Sequence, residues 1–314
     1  MAATLTLCGR AWAEYPGHNG AIAFESFSSQ DTEGGAPYTE SDVVQAGRAT
    51  LASCDNDNES GDLTCLWGAP SYAPDGLSIV VSRYAVKDGF NGVGRAGRLT
   101  LLNSTGGISS ELPALTADDQ EPAFLPSGKR IVFAGRSAGG TKTNLYSVGV
   151  AGSGLKQLTF TGGSAPAPCG NGAIAFERGA NIYLLTRRGS TRRLTPHGGY
   201  SPTCSPNSER VAYEGNNNGL DSVALSGRGS HVITKASCED PTYSPDGGKI
   251  ACVHPVDDPS ANGGGDYLDV VNLGTHRTKR EAMIDAYGFD GDSGTTDNGR
   301  TAGISWQPTI KLRP

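Results

Sequence analysis

No stretch of this sequence stays apolar for the roughly 20 residues that a membrane-spanning helix needs, and no long amphipathic helical pattern appears in it. Charge is scarce too, at 18% of 314 residues, and no run of like charge is long, which argues against a disordered chain. The net charge is -6 with no Lys/Arg-rich stretch, so nucleic acid and anionic membrane are poor partners on overall balance. Catalytic signatures are missing as well. The single G-x-S-x-G string, Gly135-Arg136-Ser137-Ala138-Gly139, is followed by no helical pattern and so does not make a nucleophile elbow, and there is no H-E-x-x-H and no C-x-x-C spacing among the cysteines. No two of the histidines His18, His197, His231, His254 and His276 are closer than 22 residues, and only His197 is placed to face a central channel.

What the chain does have is one phrase, written six times. The clearest copy is DPTYSPDGGKIACV, Asp240 to Val253. Others begin at Ala69, Glu121, Ala165 and Ser201, and the sixth is divided between NGAIAFE at Asn19 and ISWQP at Ile304. Gly and Pro, 45 and 18 in number, fall at regular intervals between short apolar strands, which marks turns. Aligning Phe24, Val81, Phe133, Phe176, Tyr213 and Cys252 gives spacings of 57, 52, 43, 37 and 39 residues. A period near 40 with four short strands per unit predicts an all-β fold, a six-bladed β-propeller with four-stranded blades. The divided copy predicts the closure: the C-terminal strand Ile304–Pro308 supplies the innermost strand of the N-terminal blade, leaving no open edge at the seam.

The phrase P-x-[YFW]-S-P-D-G-x-x-I-A-F, followed by L-Y and R-L-T, resembles the TolB-type propeller repeat. Ser244-Pro245-Asp246-Gly247 and Ala73-Pro74-Asp75-Gly76 match it well; the copies at Pro126 and Pro206 are partial, and that at Cys169 has lost the Pro-Asp pair. The resemblance covers the chain after Ala13 and implies the fold. It leaves function open, because such propellers serve as periplasmic scaffolds, as halves of serine peptidases and in many exported proteins.

Ala11-Trp12-Ala13 follows a short apolar stretch, an A-x-A pattern that suits signal peptidase, although a basic start is missing. Residues 1–13 are therefore expected to be a signal-peptide remnant or a disordered N-terminus, and 14–314 a single propeller domain. Cysteine usage agrees with a secreted, periplasmic or cell-envelope protein. Apart from Cys8 six remain, enough for three disulfides in an oxidising compartment. Cys54 and Cys65 bracket one loop and are the first expected pair; Cys169 with Cys204, and Cys238 with Cys252, are expected from neighbouring repeats. Free buried cysteines acting as small apolar residues are the alternative.

If the inner strands run from a top face to a bottom face, the Ser-Pro-Asp-Gly turns lie at the bottom. The long connections, Ser26–Ser41, Cys54–Gly68, Tyr84–Gly97, Pro255–Gly265 and Asp285–Ala302, then all lie on top. They hold 14 acids against three bases, a balance of -11, which favours a cation or a basic partner there. Within them Asp55, Asp57, Glu59 and Asp62 recur at near-alternating positions, as the oxygen ligands of a calcium loop do, and make calcium the one cofactor candidate. A solvated acidic turn has the same composition. Starts of inner strands nominate Trp67, Glu121, Tyr200, Asp240 and Arg300, together with His197, for the channel mouth.

Two functional readings follow. One is an exported, monomeric, non-catalytic binding propeller presenting its acidic top face to a protein, peptide or small ligand. The other is a lactonase- or lyase-like propeller enzyme, calcium-dependent, with Glu121, Asp240, Asp290 and Asp292 converging on the axis. The missing catalytic constellation favours the first.

Overall fold

The computed structural model describes residues 15–30, 38–46, 50–54, 65–85, 96–256, 265–286 and 304–309. They form 24 strands, β1 to β24, in six four-stranded antiparallel sheets and no helix. β1 (His18–Gln30), β2 (Tyr38–Gln45) and β3 (Thr50–Cys54) belong to the seam blade, blade 6. Blade 1 is β4 (Cys65–Tyr72), β5 (Ser78–Ala85), β6 (Gly97–Asn103) and β7 (Ile108–Glu111). Blade 2 is β8 (Asp118–Phe124), β9 (Arg130–Arg136), β10 (Thr143–Gly149) and β11 (Lys156–Gln157). Blade 3 is β12 (Ser164–Pro168), β13 (Ile174–Glu177), β14 (Ile182–Leu185) and β15 (Thr191–Arg193). Blade 4 is β16 (Tyr200–Cys204), β17 (Arg210–Glu214), β18 (Leu220–Ala224) and β19 (His231–Thr234). Blade 5 is β20 (Glu239–Tyr243), β21 (Lys249–Val256), β22 (Gly265–Asn272) and β23 (Thr278–Ala286). β24 (Ile304–Thr309) completes blade 6 as its inner strand, pairing Trp306 with Ile22 and Ile304 with Phe24. The fold is a six-bladed β-propeller closed at the expected seam.

The I-A-F triplets are continuous apolar runs because the second strand of each blade is covered on both faces. In β9, Ile131 to Gly135 are all buried. Phe176, Ile174 and Leu185 of blade 3 pack on Val132 and Leu145 of blade 2, so the core lies between blades. The outermost strands β7 and β15 are exposed throughout. Where these edges bend, the L-T of the repeat has a defined role. The Thr159 hydroxyl accepts the N–H of Leu145 and the Thr195 hydroxyl that of Ile182, each at 2.9 Å.

At the bottom, Pro presets φ and Gly supplies the left-handed residue of the turn. Gly247 has φ 73° and its N–H donates to the Ser244 carbonyl at 2.8 Å, while the Ser244 hydroxyl accepts the N–H of Lys249 at 2.9 Å. The partial copies make the same turn, with Gly128, Gly172 and even Ser208 at positive φ. Neighbouring turns touch: a Cβ on Gly128 would lie 3.6 Å from Pro74, and one on Gly247 3.6 Å from Pro206.

The six cysteines are joined as Cys54–Cys65, Cys169–Cys204 and Cys238–Cys252. The first two tie neighbouring blades, 6 to 1 and 3 to 4. One expected loop is shorter than its bounds. Ser26 to Gln30 continue β1, and β2 begins at Tyr38, because the two strands stay paired from Ala23–Gln45 out to Gln30–Tyr38.

Candidate binding site: the axial channel

Five inner strands share a defect. Register shifts fall between Gly68 and Ser71, Gln120 and Ala123, Ser164 and Ala167, Tyr200 and Thr203, and Glu239 and Thr242. Each spans an X-Pro pair, since proline has no N–H for the ladder and a bulge absorbs the loss. In four of them the residue before proline is left-handed: Glu121 at φ 48°, Ala165 at 46°, Ser201 at 44° and Asp240 at 46°. That conformation costs a non-glycine residue about 1–2 kcal/mol. Carboxylates from the preceding blade hold two of them. Glu121 Oε2 accepts the N–H of Ala165 at 2.6 Å, and Glu177 Oε1 that of Ser201 at 2.5 Å. The Ser201 hydroxyl donates in turn to Asp240 Oδ1 at 2.6 Å. Hydrogen bonds at the axis thus join blade 2 to 3, blade 3 to 4 and blade 4 to 5.

These four residues line an axial cavity of about 240 Å³ together with Glu177, Ser71, Tyr72, Ser305, Trp306 and the strand prolines. Tyr15 reaches its lower end, where its hydroxyl donates to the carbonyl of Phe124. Among the described residues, three carboxylates and no base line the cavity. Burial raises the Glu121 carboxyl above its ordinary value; the Ala165 N–H opposes this and the Asp240 charge adds to it. Tyr84 stays neutral well above the normal phenol range, chiefly through burial, with Asp118, Glu121 and Glu25 nearby. The channel therefore combines negative potential with apolar proline and aromatic walls, an environment for a cationic group.

Glu121 and Asp240, expected at the channel, lie in its wall. Trp67 does not: it is 2% exposed, packed between blades 6 and 1, with Arg83 over its ring at 5.6 Å. Tyr200 is the first residue of β16, opposite Glu214, and does not line the cavity. His197 is exposed on a blade crossing, its carbonyl taking a hydrogen bond from the Asn216 amide. Arg300, the calcium candidates Asp55, Asp57, Glu59 and Asp62, and the enzyme candidates Asp290 and Asp292 lie outside the described residues. Among the described residues no three His, Cys, Asp or Glu side chains are grouped to hold a metal. Glu177 and Ser201 were not nominated by the sequence. The signal for Ser201 was the X-Pro pair itself, which recurs in five copies.

Solved structures with this architecture place the fold. TolB from Acinetobacter baumannii superposes with TM-score 0.61 at 20% identity, over 92% of this chain and 67% of that one. A protein described as TolB from Agrobacterium tumefaciens gives 0.58 at 16% identity, over 76% and 86%. The fold is that of the TolB-type propellers. A chain of a nidogen/laminin complex reaches 0.57 at 10% identity, over 92% and 99%, a likeness of fold alone. No sequence-family profile and no curated protein sequence matches the chain.

Proposed function

We propose that this TolB-type propeller is an exported, non-catalytic binding protein that offers its acidic top face, and the channel beneath it, to a protein, peptide or small ligand carrying positive charge. The carrying observation is the channel: Glu121, Glu177 and Asp240 in a wall of prolines and aromatics, with no base among its described lining residues. Its carboxylates cap backbone N–H groups and a serine, the arrangement of a shaped rim rather than of a nucleophile with its base. Three disulfides fit folding in an oxidising compartment.

The test is selection from a random peptide library on immobilised protein. Enrichment of Lys- and Arg-containing peptides is expected, with loss of that enrichment in Asp240→Asn, a change that keeps the side-chain shape and tolerates the left-handed backbone. Selection without charge preference, or enrichment unchanged in the variant, would sink this reading. Cleavage of the captured peptides would replace it with an enzymatic one.

A further inference from the structure

The bottom of the ring carries two features that the overall composition hides. The ten described turns that join strands there hold five bases, Lys129, Arg187, Arg188, Arg228 and Arg277. All five are exposed, and none has a carboxylate within ion-pairing distance among the described residues. Arg130, Arg210 and Lys249 open the strands that follow. Asp75, Glu209 and Asp246 are the acids of these turns, and each is engaged locally. Asp75 accepts the N–H of Leu77, Glu209 the amide of Asn207, and Asp246 the Ser244 hydroxyl and the Asn19 amide. Between Pro122 and Ser208 ten bases meet one carboxylate, Glu177, and that one lines the channel.

The second feature is apolar. Five large hydrophobic side chains are well exposed, and three of them are at this face: Leu77 at 66%, Ile108 at 55% and Leu155 at 43%. Leu77 and Leu155 lie in bottom turns of blades 1 and 2, and Ile108 follows another. Singly exposed apolar residues need no explanation. Here the two kinds of residue divide one ring face by sector: the apolar tips are on blades 1 and 2 with Lys129, and Arg187, Arg188, Arg228 and Arg277 are on blades 3, 4 and 5. The turns of blades 1 and 2 touch through Gly128 on Pro74, and those of blades 4 and 5 through Gly247 on Pro206.

We infer that the bottom face docks on an anionic lipid bilayer, its bases against headgroups and Leu77, Ile108 and Leu155 in the interface. Bases near a negatively charged leaflet and short apolar insertions act together in such binding. A polyanion in solution leaves the apolar tips in water. A second copy seating its acidic loops here makes a head-to-tail contact that does not close and would run on into filaments. The docking leaves the top face and its channel free, and so it stands apart from the ligand reading above.

Co-sedimentation with vesicles tests it. The protein should pellet with vesicles of phosphatidylcholine and phosphatidylglycerol in equal parts, not with phosphatidylcholine alone, and raised salt should release it. Arg187→Glu with Arg188→Glu, both at an exposed turn tip, should weaken partitioning at least about tenfold. Leu77→Ser with Leu155→Ser should weaken it without altering the thermal melt. Lys142→Glu, on the top side of blade 2, should leave it unchanged. No pelleting with either vesicle, or pelleting untouched by the paired arginine variant, overturns the proposal. So does equal loss in Lys142→Glu. Self-association without lipid that the arginine variant abolishes overturns it in favour of a second copy.

Discussion

The two faces of this ring are built by opposite means. On the bottom, turns of four to six residues close every described strand pair, and neighbouring turns touch. On the top, the strands of blades 5, 6 and 1 are joined by residues 31–37, 55–64, 86–96, 257–264 and 287–303, whose sequence holds 12 acids against three bases. The bottom turns lean the other way, toward lysine and arginine. A rigid ring can thus carry one face set by covalent geometry and another set by composition. Swollen loops on a fixed frame are where ligand recognition concentrates.

The largest test of that contrast is in the cross-links. Cys169–Cys204 spans 35 residues and ties blades 3 and 4 near the bottom, while Cys54–Cys65 spans 11 at the top. On loop entropy alone, paired serine replacement should cost about 4 kcal/mol at the first and about 3 kcal/mol at the second. Denaturant melts of the two variants read the difference; a larger loss at the top would mean that the acidic side is the tighter one. Glycine replacement comes next. Alanine at Gly76 takes φ 70° and brings Cβ to 2.1 Å from the Pro308 carbonyl oxygen of the seam strand, for a loss of roughly 3 kcal/mol. Gly139, in a top turn, has φ 71° with nothing within 4 Å, and Gly139→Ala should cost only about 1 kcal/mol. Equal losses would remove the argument for a close-packed bottom.

The smallest effect is one of sign. Glu121, in the channel, is raised above 4.5, so the folded protein binds more protons there than the unfolded chain. Its contribution favours folding at low pH and fades as pH rises from that value through the folded one. Burial would raise Asp246 in its bottom turn as well, but hydrogen bonds from Ser244, Gly248 and Asn19 outweigh burial and hold it below 3.8. Its contribution is present above that value and is lost as pH falls through the folded one. Glu121→Gln should therefore improve relative stability at neutral pH, and Asp246→Asn should impair it, in melts across the acidic range. Shifts of the same sign would show that one assignment is inverted.

Sequence legibility followed the same division. The repeat phrase contained the turns, the strand count and the divided blade, because each depends on local residues such as Pro and Gly at fixed places. The channel was only half legible. Counting from the start of an inner strand reaches Glu121 and Asp240, the residues before proline. It reaches Trp67 two positions too early and Tyr200 one too early. The equivalent of Trp67 in blade 2 is Asp119, which is also fully buried. A bulge changes the phase of a strand by one residue and sends the neighbouring side chains between blades. The bulge is announced by the proline, but its effect on facing is a property of the pair of strands. The charge of the bottom face was hidden differently, since bases far apart along the chain meet only when the turns are brought into a circle.

The seam has a consequence in time. Trp306 Nε1 donates to the carbonyl of Gly20 across 286 residues of chain, and the inner strand of blade 6 comes from the far end of the described chain. Five blades can assemble from nearby segments as they emerge, but blade 6 has to wait for the sixth fragment of its phrase. Until then β1 presents an unpaired edge beside a half-built channel. Such non-local closure is slow, so completion of the ring is expected to be the late step of folding, and a chain cut before Ile304 should remain a sticky, open array rather than a slightly smaller propeller.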